Sequence, residues 1–320
     1  MKTKYQYHLC FLLVINLTGL TAWSQEPVTS HFFIPTQAVN PANVVYADEP
    51  GLLVNYRNQW PGMAASFVTY NLAYSHPLPR MNSGLGLWIE NDVQGDGIFN
   101  RLSFSGTYGY AARLSQRNRL LFGLQGNLQQ FSKNLSNLSL ENNNESLVSE
   151  SGFFLDFGLG LKLVVRHTYF GISARHLSPA LPLFSAAVDY TPFTRFMAEA
   201  GTTIPLKSSG IYETVMDITP AVQISQQAGN SYLQAGAAIR RLNVQAGLWL
   251  RQDMQFHYDS FILSLGILQP TYNFVYSYDM RAPWNMEIFG KSGAHEVTFY
   301  IKFQYNEKRK RMRTIKCPDI

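Results

Sequence analysis

Few residues of this chain have the types and spacing that chemistry asks for. His295 and Glu296 stand side by side, but the zinc-hydrolase pattern needs a second His four residues on, and Phe299 occupies that place. Neighbours in an extended segment also point to opposite faces, so this pair reads as two polar residues of a strand. Asp92 and Asp96, in Asn91-Asp92-Val93-Gln94-Gly95-Asp96-Gly97, follow a calcium loop only loosely, because its alternate oxygen ligands and distal Glu are missing. Gly95 and Gly97 fit a hairpin turn instead. There is no G-x-S-x-G elbow, and the Asn-Leu-Ser triplets at Asn134 and Asn137 read as a polar loop. No cofactor or metal is called for, although a Ser and a His from distant segments could still meet, which keeps a lipase as a remote alternative.

The elements that would position these residues begin with an export signal. Lys2 and Lys4 precede an apolar run from Leu9 to Leu20, and small residues follow at Ala22 and Ser24. Residues 1–24 therefore read as a signal peptide, with Gln25 as the mature N-terminus. Cys10 leaves with it, so Cys317 stands alone and no internal disulfide is expected. Beyond Ser24 no run reaches about 18 apolar residues, which excludes a helical span. Yet only 15% of residues are charged, against roughly 25% in ordinary soluble domains, and 14% are aromatic.

A transmembrane antiparallel β-barrel reconciles these facts, since alternation keeps mean hydropathy near neutral, here −0.11, while one face of each strand meets lipid. From 51 to 305 the sequence breaks into about fourteen period-two segments: 52–60, 64–76, 84–93, 99–113, 119–132, 152–165, 167–177, 193–205, 213–225, 231–240, 242–251, 258–268, 271–280 and 294–304. In the last, His295, Val297, Phe299 and Ile301 share a lipid-suited face, and Glu296, Thr298, Tyr300 and Lys302 a water-suited one. An even count returns both ends of the barrel to one side. The connections after even-numbered segments are then short, and the long ones, 132–151, 178–192 and 281–293, fall on the other side. A soluble sandwich has no reason to sort its loops so.

Charge sorts with loop length. Arg80, Arg117, Arg119, Arg166, Lys207, Arg240 and Arg241 fall on the short-turn rim, read as periplasmic, and Asp92, Asp96, Glu141, Glu145 and Glu150 on the other. Residues 306–320 form a basic periplasmic tail, with Lys308, Arg309, Lys310, Arg311, Arg313 and Lys316 placing six cations in nine positions. Such a cluster repels itself without a partner, so it reads as a docking element. An exported barrel meets no nucleic acid, which excludes that partner. Residues 25–50 are Pro-punctuated and carry His31-Phe32-Phe33-Ile34, which needs cover. A plug entering the lumen from the periplasmic side is preferred to an exposed docking peptide. Trp60, Trp88, Trp249 and Trp284 lie near segment ends and read as an aromatic girdle at the membrane interface, with burial an almost equal alternative for Trp88.

Several phrases, in order, resemble the PorP/SprF family of type IX secretion outer-membrane proteins. They are Asn40-Pro41; Asn55-Tyr56-Arg57-Asn58-Gln59-Trp60-Pro61, the most specific; Asp92 with Gly95 and Gly97; Tyr278-Asp279; and His295-Glu296. The resemblance spans essentially the whole mature chain. It implies a non-enzymatic bacterial outer-membrane barrel, in contact with lipid and lipopolysaccharide. It further implies support for secretion or surface attachment of cargo bearing a type IX C-terminal domain, gliding adhesins among them, and contact with periplasmic or outer-membrane components of the machine. A transporter of hydrophobic small molecules is the alternative.

Overall fold

The computed structural model describes residues 26–63, 66–134, 149–178, 181–182, 192–206, 216–281 and 293–303. The tail residues Lys308, Arg309, Lys310, Arg311, Arg313 and Lys316, like Trp284 and Lys207, lie outside the described residues.

Alternation produces strands throughout: β1 (Gly51–Gln59), β2 (Phe67–Leu78), β3 (Ser83–Gln94), β4 (Phe99–Arg113), β5 (Asn118–Lys133), β6 (Glu150–Val165), β7 (Thr168–Arg175), β8 (Leu181–Pro182), β9 (Arg195–Thr202), β10 (Ile204–Leu206), β11 (Met216–Gln227), β12 (Asn230–Arg241), β13 (Val244–Asp253), β14 (Tyr258–Leu268), β15 (Tyr272–Arg281) and β16 (Ala294–Lys302). All fourteen expected segments are strands. The eighth is interrupted at Thr203, whose N–H turns to the His167 carbonyl at 3.0 Å. Its halves, β9 and β10, nevertheless pair with β11 in one continuous register. β8 is an addition within the 176–194 connection. It pairs with β6 at Phe154 and Leu155, beyond the reach of the shorter β7.

Each strand pairs antiparallel with its neighbours, and β16 closes on β1 from Gly51↔Lys302 to Gln59↔Ala294. The result is a closed fourteen-strand barrel. Short turns, such as 114–117 and 166–167, gather at one end with the start of β1. We call this the turn end, and the opposite one the loop end. At the turns, Asn82 and Arg166 adopt left-handed φ values of 50° and 55°.

The two faces are inverted relative to a soluble sheet. Gln125 and Asp156 are 0% exposed on the inward face, whereas Leu87, Val244 and Leu265 point outward at 60–61% exposure. Only a hydrocarbon surround rewards that arrangement, because it turns apolar side chains outward and polar ones inward. Among the described residues no helix is long and apolar enough to span a membrane.

Candidate functional site

The inward face packs against a segment of the chain itself. Residues 26–50 run lengthwise through the lumen, bonding to strands on every side. Pro27, Pro35, Pro41 and Pro50 deny the segment continuous strand or helix, and only a 3-10 turn forms, at Pro41–Val45. Its direction differs from the sequence expectation. Glu26 lies not at the turn end but level with Arg101, Arg175 and Arg195 near the loop end, and the chain descends until Asp48 meets Arg119 at the turn end, 3.1 Å away.

At the loop end one carboxylate gathers four cations or potential cations. Glu26 lies 2.5 Å from Arg101, 2.8 Å from His176, 3.3 Å from Arg195 and 3.4 Å from Arg175. Burial is the largest single influence on Glu26 and pushes its pKa up. The fields of Arg175, His176 and Arg101 together outweigh it, and hold the carboxyl well below its ordinary value. Around this centre Arg101 also pairs with Glu90 at 2.6 Å, and His176 with Asp156 at 2.9 Å. Asp156 further accepts from Asn127 at 2.6 Å and from Gln129.

A second cluster binds the segment to the seam between first and last strands. Arg57 on β1 donates to Glu296 on β16 at 3.0 Å and to Asp279 on β15 at 3.1 Å. Ser30 enters between them: its N–H donates to Glu296 at 2.7 Å, and its hydroxyl donates to Asp279 and accepts from Arg57, both at 2.5 Å. Thr29 donates to Glu296 at 2.6 Å, and Asn55 donates to Glu296 and Thr298 at 2.9 and 2.8 Å. Arg251 extends the cluster to Asp279 and Asp259, and Arg281 also pairs with Asp259. Three guanidiniums thus face three carboxylates, as buried charges require.

Below this level the segment buries its apolar residues. Phe33 stacks on Trp249 with centroids 4.6 Å apart and 9° between planes, while Phe32 meets the same indole edge-on at 5.2 Å. Further down, the Asn40 side chain caps the 3-10 turn through the Ala42 N–H and donates to the strand carbonyls of Leu161 and Ile172 at 3.2 and 3.3 Å. The chain can approach so closely because Gly123 and Gly160 present bare backbone. A side chain at Gly123 would collide with Pro41 and Ala42, and one at Gly160 with Asn40. Lys162 donates to Asn43 at 2.8 Å, pairs with Glu199 at 3.2 Å, and lies over the Tyr169 ring at 4.0 Å.

The family-phrase residues divide by face. Asn40, Pro41, Asn55, Arg57, Asp279 and Glu296 converge on the lumen segment, and Gln59 accepts from Arg57 at 3.4 Å. Tyr56 faces outward against Tyr70, with centroids 5.3 Å apart. His295 also faces outward, 2.9 Å from the Tyr276 hydroxyl and tilted against the Tyr278 ring with centroids 4.8 Å apart. Asn58 pairs in register with His295 on one side and Val68 on the other. Trp60 adopts φ 60°, rare for an aromatic residue. It is held there by its N–H on the Gly293 carbonyl at 2.8 Å, by Phe67, and by the Arg281 guanidinium 5.4 Å from its ring, and Pro61 follows it in the turn. Asp92 is buried in β3, accepting from Thr69 at 2.9 Å and Gln94 at 2.6 Å. Gly95 and Gly97 form the hairpin turn with φ values of 63° and 89°. The girdle assignment of Trp249 is overturned, and Trp88 follows its burial alternative, because the two are 1% and 3% exposed inside the barrel. Both sit on inward positions of their strands, where only the segment and its neighbours can cover an indole.

The sequence reading missed Glu26, Arg101, Asp156, Lys162, Arg175, Arg195 and Glu199. The signal was available: charged residues at alternate positions opposite an apolar face must point into the lumen, and strand-interior glycines mark close backbone approach.

In comparisons with known proteins, the barrel is similar to solved outer-membrane structures at low identity. The Pseudomonas putida toluene transporter TodX shares 10% identity at TM-score 0.43, over 83% of this chain and 93% of that one. A Pseudomonas aeruginosa FadL homologue shares 12% at TM-score 0.41, over 84% and 93%. CdiB from Acinetobacter baumannii shares 9% at TM-score 0.38, and the chain spans 60% of its length. No curated protein matches the sequence. The family described as type IX secretion system membrane protein PorP/SprF matches residues 22–301, and with that extent of match the chain belongs to the PorP/SprF family, a membrane component of type IX secretion placed in the bacterial outer membrane.

Proposed function

We propose that this barrel serves type IX secretion by holding partners rather than by conducting or processing them, and that residues 26–50 act as a plug. One observation carries the reading: the chain's own segment is bonded to the wall along the length of the lumen. The cavities left at the loop end and turn end measure about 340 and 360 Å³, and an enclosed one between them about 50 Å³. No folded or extended polypeptide passes such a lumen. In this reading the short turns and basic tail face the periplasm and the secretion machine, the long loops face cargo with a type IX C-terminal domain at the cell surface, and the protein is not an enzyme.

A strain lacking the chain, complemented by the full protein or by a version ending at Tyr305, tests the assignment. Loss of cargo display without the chain, and with the truncated chain at normal barrel levels, supports holding through the tail. Normal display without the chain overturns the reading.

A second reading, uptake of a hydrophobic small molecule, has one observation in its favour. The turn-end cavity is walled by Phe33, Leu53, Trp249, Val275 and Tyr300. Uptake of a radiolabelled monoaromatic hydrocarbon that depends on the chain separates the two.

A further inference from the structure

The cluster around Glu26 is asymmetric in origin. All its cations come from the wall: Arg101 on β4, Arg175 on β7, Arg195 on β9, and His176 just beyond β7. The carboxylate they share comes from a separate segment. The wall's own acids are already engaged, Glu90 by Arg101 and Asp156 by His176, Asn127 and Gln129. Among the described residues, Arg175 and Arg195 have no carboxylate within ion-pair distance except Glu26. Both are at least 93% buried, since their exposures are 3% and 7%. A barrel wall carrying two buried guanidiniums without wall anions is built around an acid supplied from elsewhere.

The wall also reads the main chain beside that acid. Gln227 accepts from the Glu26 N–H at 3.1 Å, and Gln234 donates to the Thr29 carbonyl at 3.1 Å. These contacts recognise a peptide as a peptide, whatever side chains lie between. The loop-end cavity of about 340 Å³ has Glu26, Pro27 and Val28 among its lining residues, with Gln59, Tyr232 and Arg281. Among the described residues, the start of the segment is thus part of the wall of the loop-end cavity.

We propose that Arg101, Arg175, Arg195 and His176, with Gln227 and Gln234, form a binding site for an acidic peptide, and that Glu26 is its resident occupant, exchangeable with an acidic peptide of a partner reaching the loop end. The segment below Ser30, anchored separately by Trp249 and by Gly123 and Gly160, stays in place during the exchange. This inference stands apart from the secretion reading, since it concerns the purified barrel alone.

The test uses the full chain in detergent and a fluorescent pentapeptide, Glu-Pro-Val-Thr-Ser, copying residues 26–30, with anisotropy as the readout. Wild type, its site occupied, should bind at least tenfold more weakly than the E26A variant. The E26A variant should in turn prefer this peptide at least tenfold over the version beginning with Gln, and a further R195A substitution should abolish the preference. E26Q, which keeps the side-chain size, serves in the same assay if E26A does not fold. A folded variant that binds neither peptide, or binds both equally, overturns the proposal.

Discussion

Arg57 and Glu296 stand 239 residues apart in sequence and face each other in register across the seam that closes the barrel, 3.0 Å from Nη1 to Oε2. The first strand and the last are thus joined by backbone pairing and by a buried ion pair, and Ser30 of the lumen segment bonds to both partners. One buried cluster thus joins the closing seam of the wall to the lumen segment.

Removing one partner leaves an uncompensated buried charge, which costs about 3–5 kcal/mol. E296A should therefore destabilise the barrel by that order, with R57A similar because Glu296 loses its guanidinium partner, whereas Asp279 keeps Arg251. Urea unfolding in micelles measures this. A loss under about 1 kcal/mol for both variants would show that the seam does not depend on the pair.

On β16 the two faces should fail for different reasons. Phe299 points outward at 37% exposure, so F299R places a charge in lipid at about 2–4 kcal/mol at mid-bilayer and should lower outer-membrane levels. Thr298 is not the water-facing position that alternation alone suggests, because His31 and Asn55 bond to it at 2.6 and 2.8 Å. T298R should insert, with protease sensitivity gained in residues 26–50. Protection of that segment in folded T298R would contradict the packing.

Trp249 anchors Phe32 and Phe33. W249A should cost about 3–5 kcal/mol, the range for truncating a buried aromatic, and should loosen the segment. Limited proteolysis and thermal unfolding of the same preparation check both; an unchanged melting temperature refutes the anchor.

Glu26 supplies a pH dependence with a definite sign. Its folded pKa is depressed, so the stabilisation it gives is complete above the unfolded Glu value of about 4.3 and is lost as pH falls through the folded value. Burial lowers the pKa of His176 but Glu26 raises it, so the clean window lies below about pH 5, where that imidazole is charged: there the stability gap between wild type and E26Q should close as pH falls further. A gap that widens below about pH 4 would reverse the assignment.

The strands were legible because period-two alternation is a local signal that lipid on one face enforces, and His295 beside Glu296 shows it in two residues. The loop sorting was legible because chain order fixes which connections share an end. The clusters were not, since Arg57 finds Glu296 only after fourteen strands have closed, and nothing near Glu26 in sequence announces Arg101, Arg175 or Arg195. Trp249 misled, and Trp88 stayed between two readings, because an indole near a strand end suits an interface as well as a filled lumen. Only the segment's position decides between them. Gly123 and Gly160 were visible as strand-interior glycines, but their partner, Asn40-Pro41-Ala42, lies more than eighty residues earlier.

The central claim is that the barrel works with its lumen filled. Val44 of the segment packs directly over Gly109 of β4, so cysteines at these two positions, with Cys317 changed to Ser, can pin the turn end of the segment while leaving Glu26 free. Cargo display on intact cells is then measured before and after oxidation. Normal display with the pair fully oxidised is the predicted result. Display lost on oxidation and restored by a reductant, at constant barrel levels, would show that the lumen must open and would contradict the account.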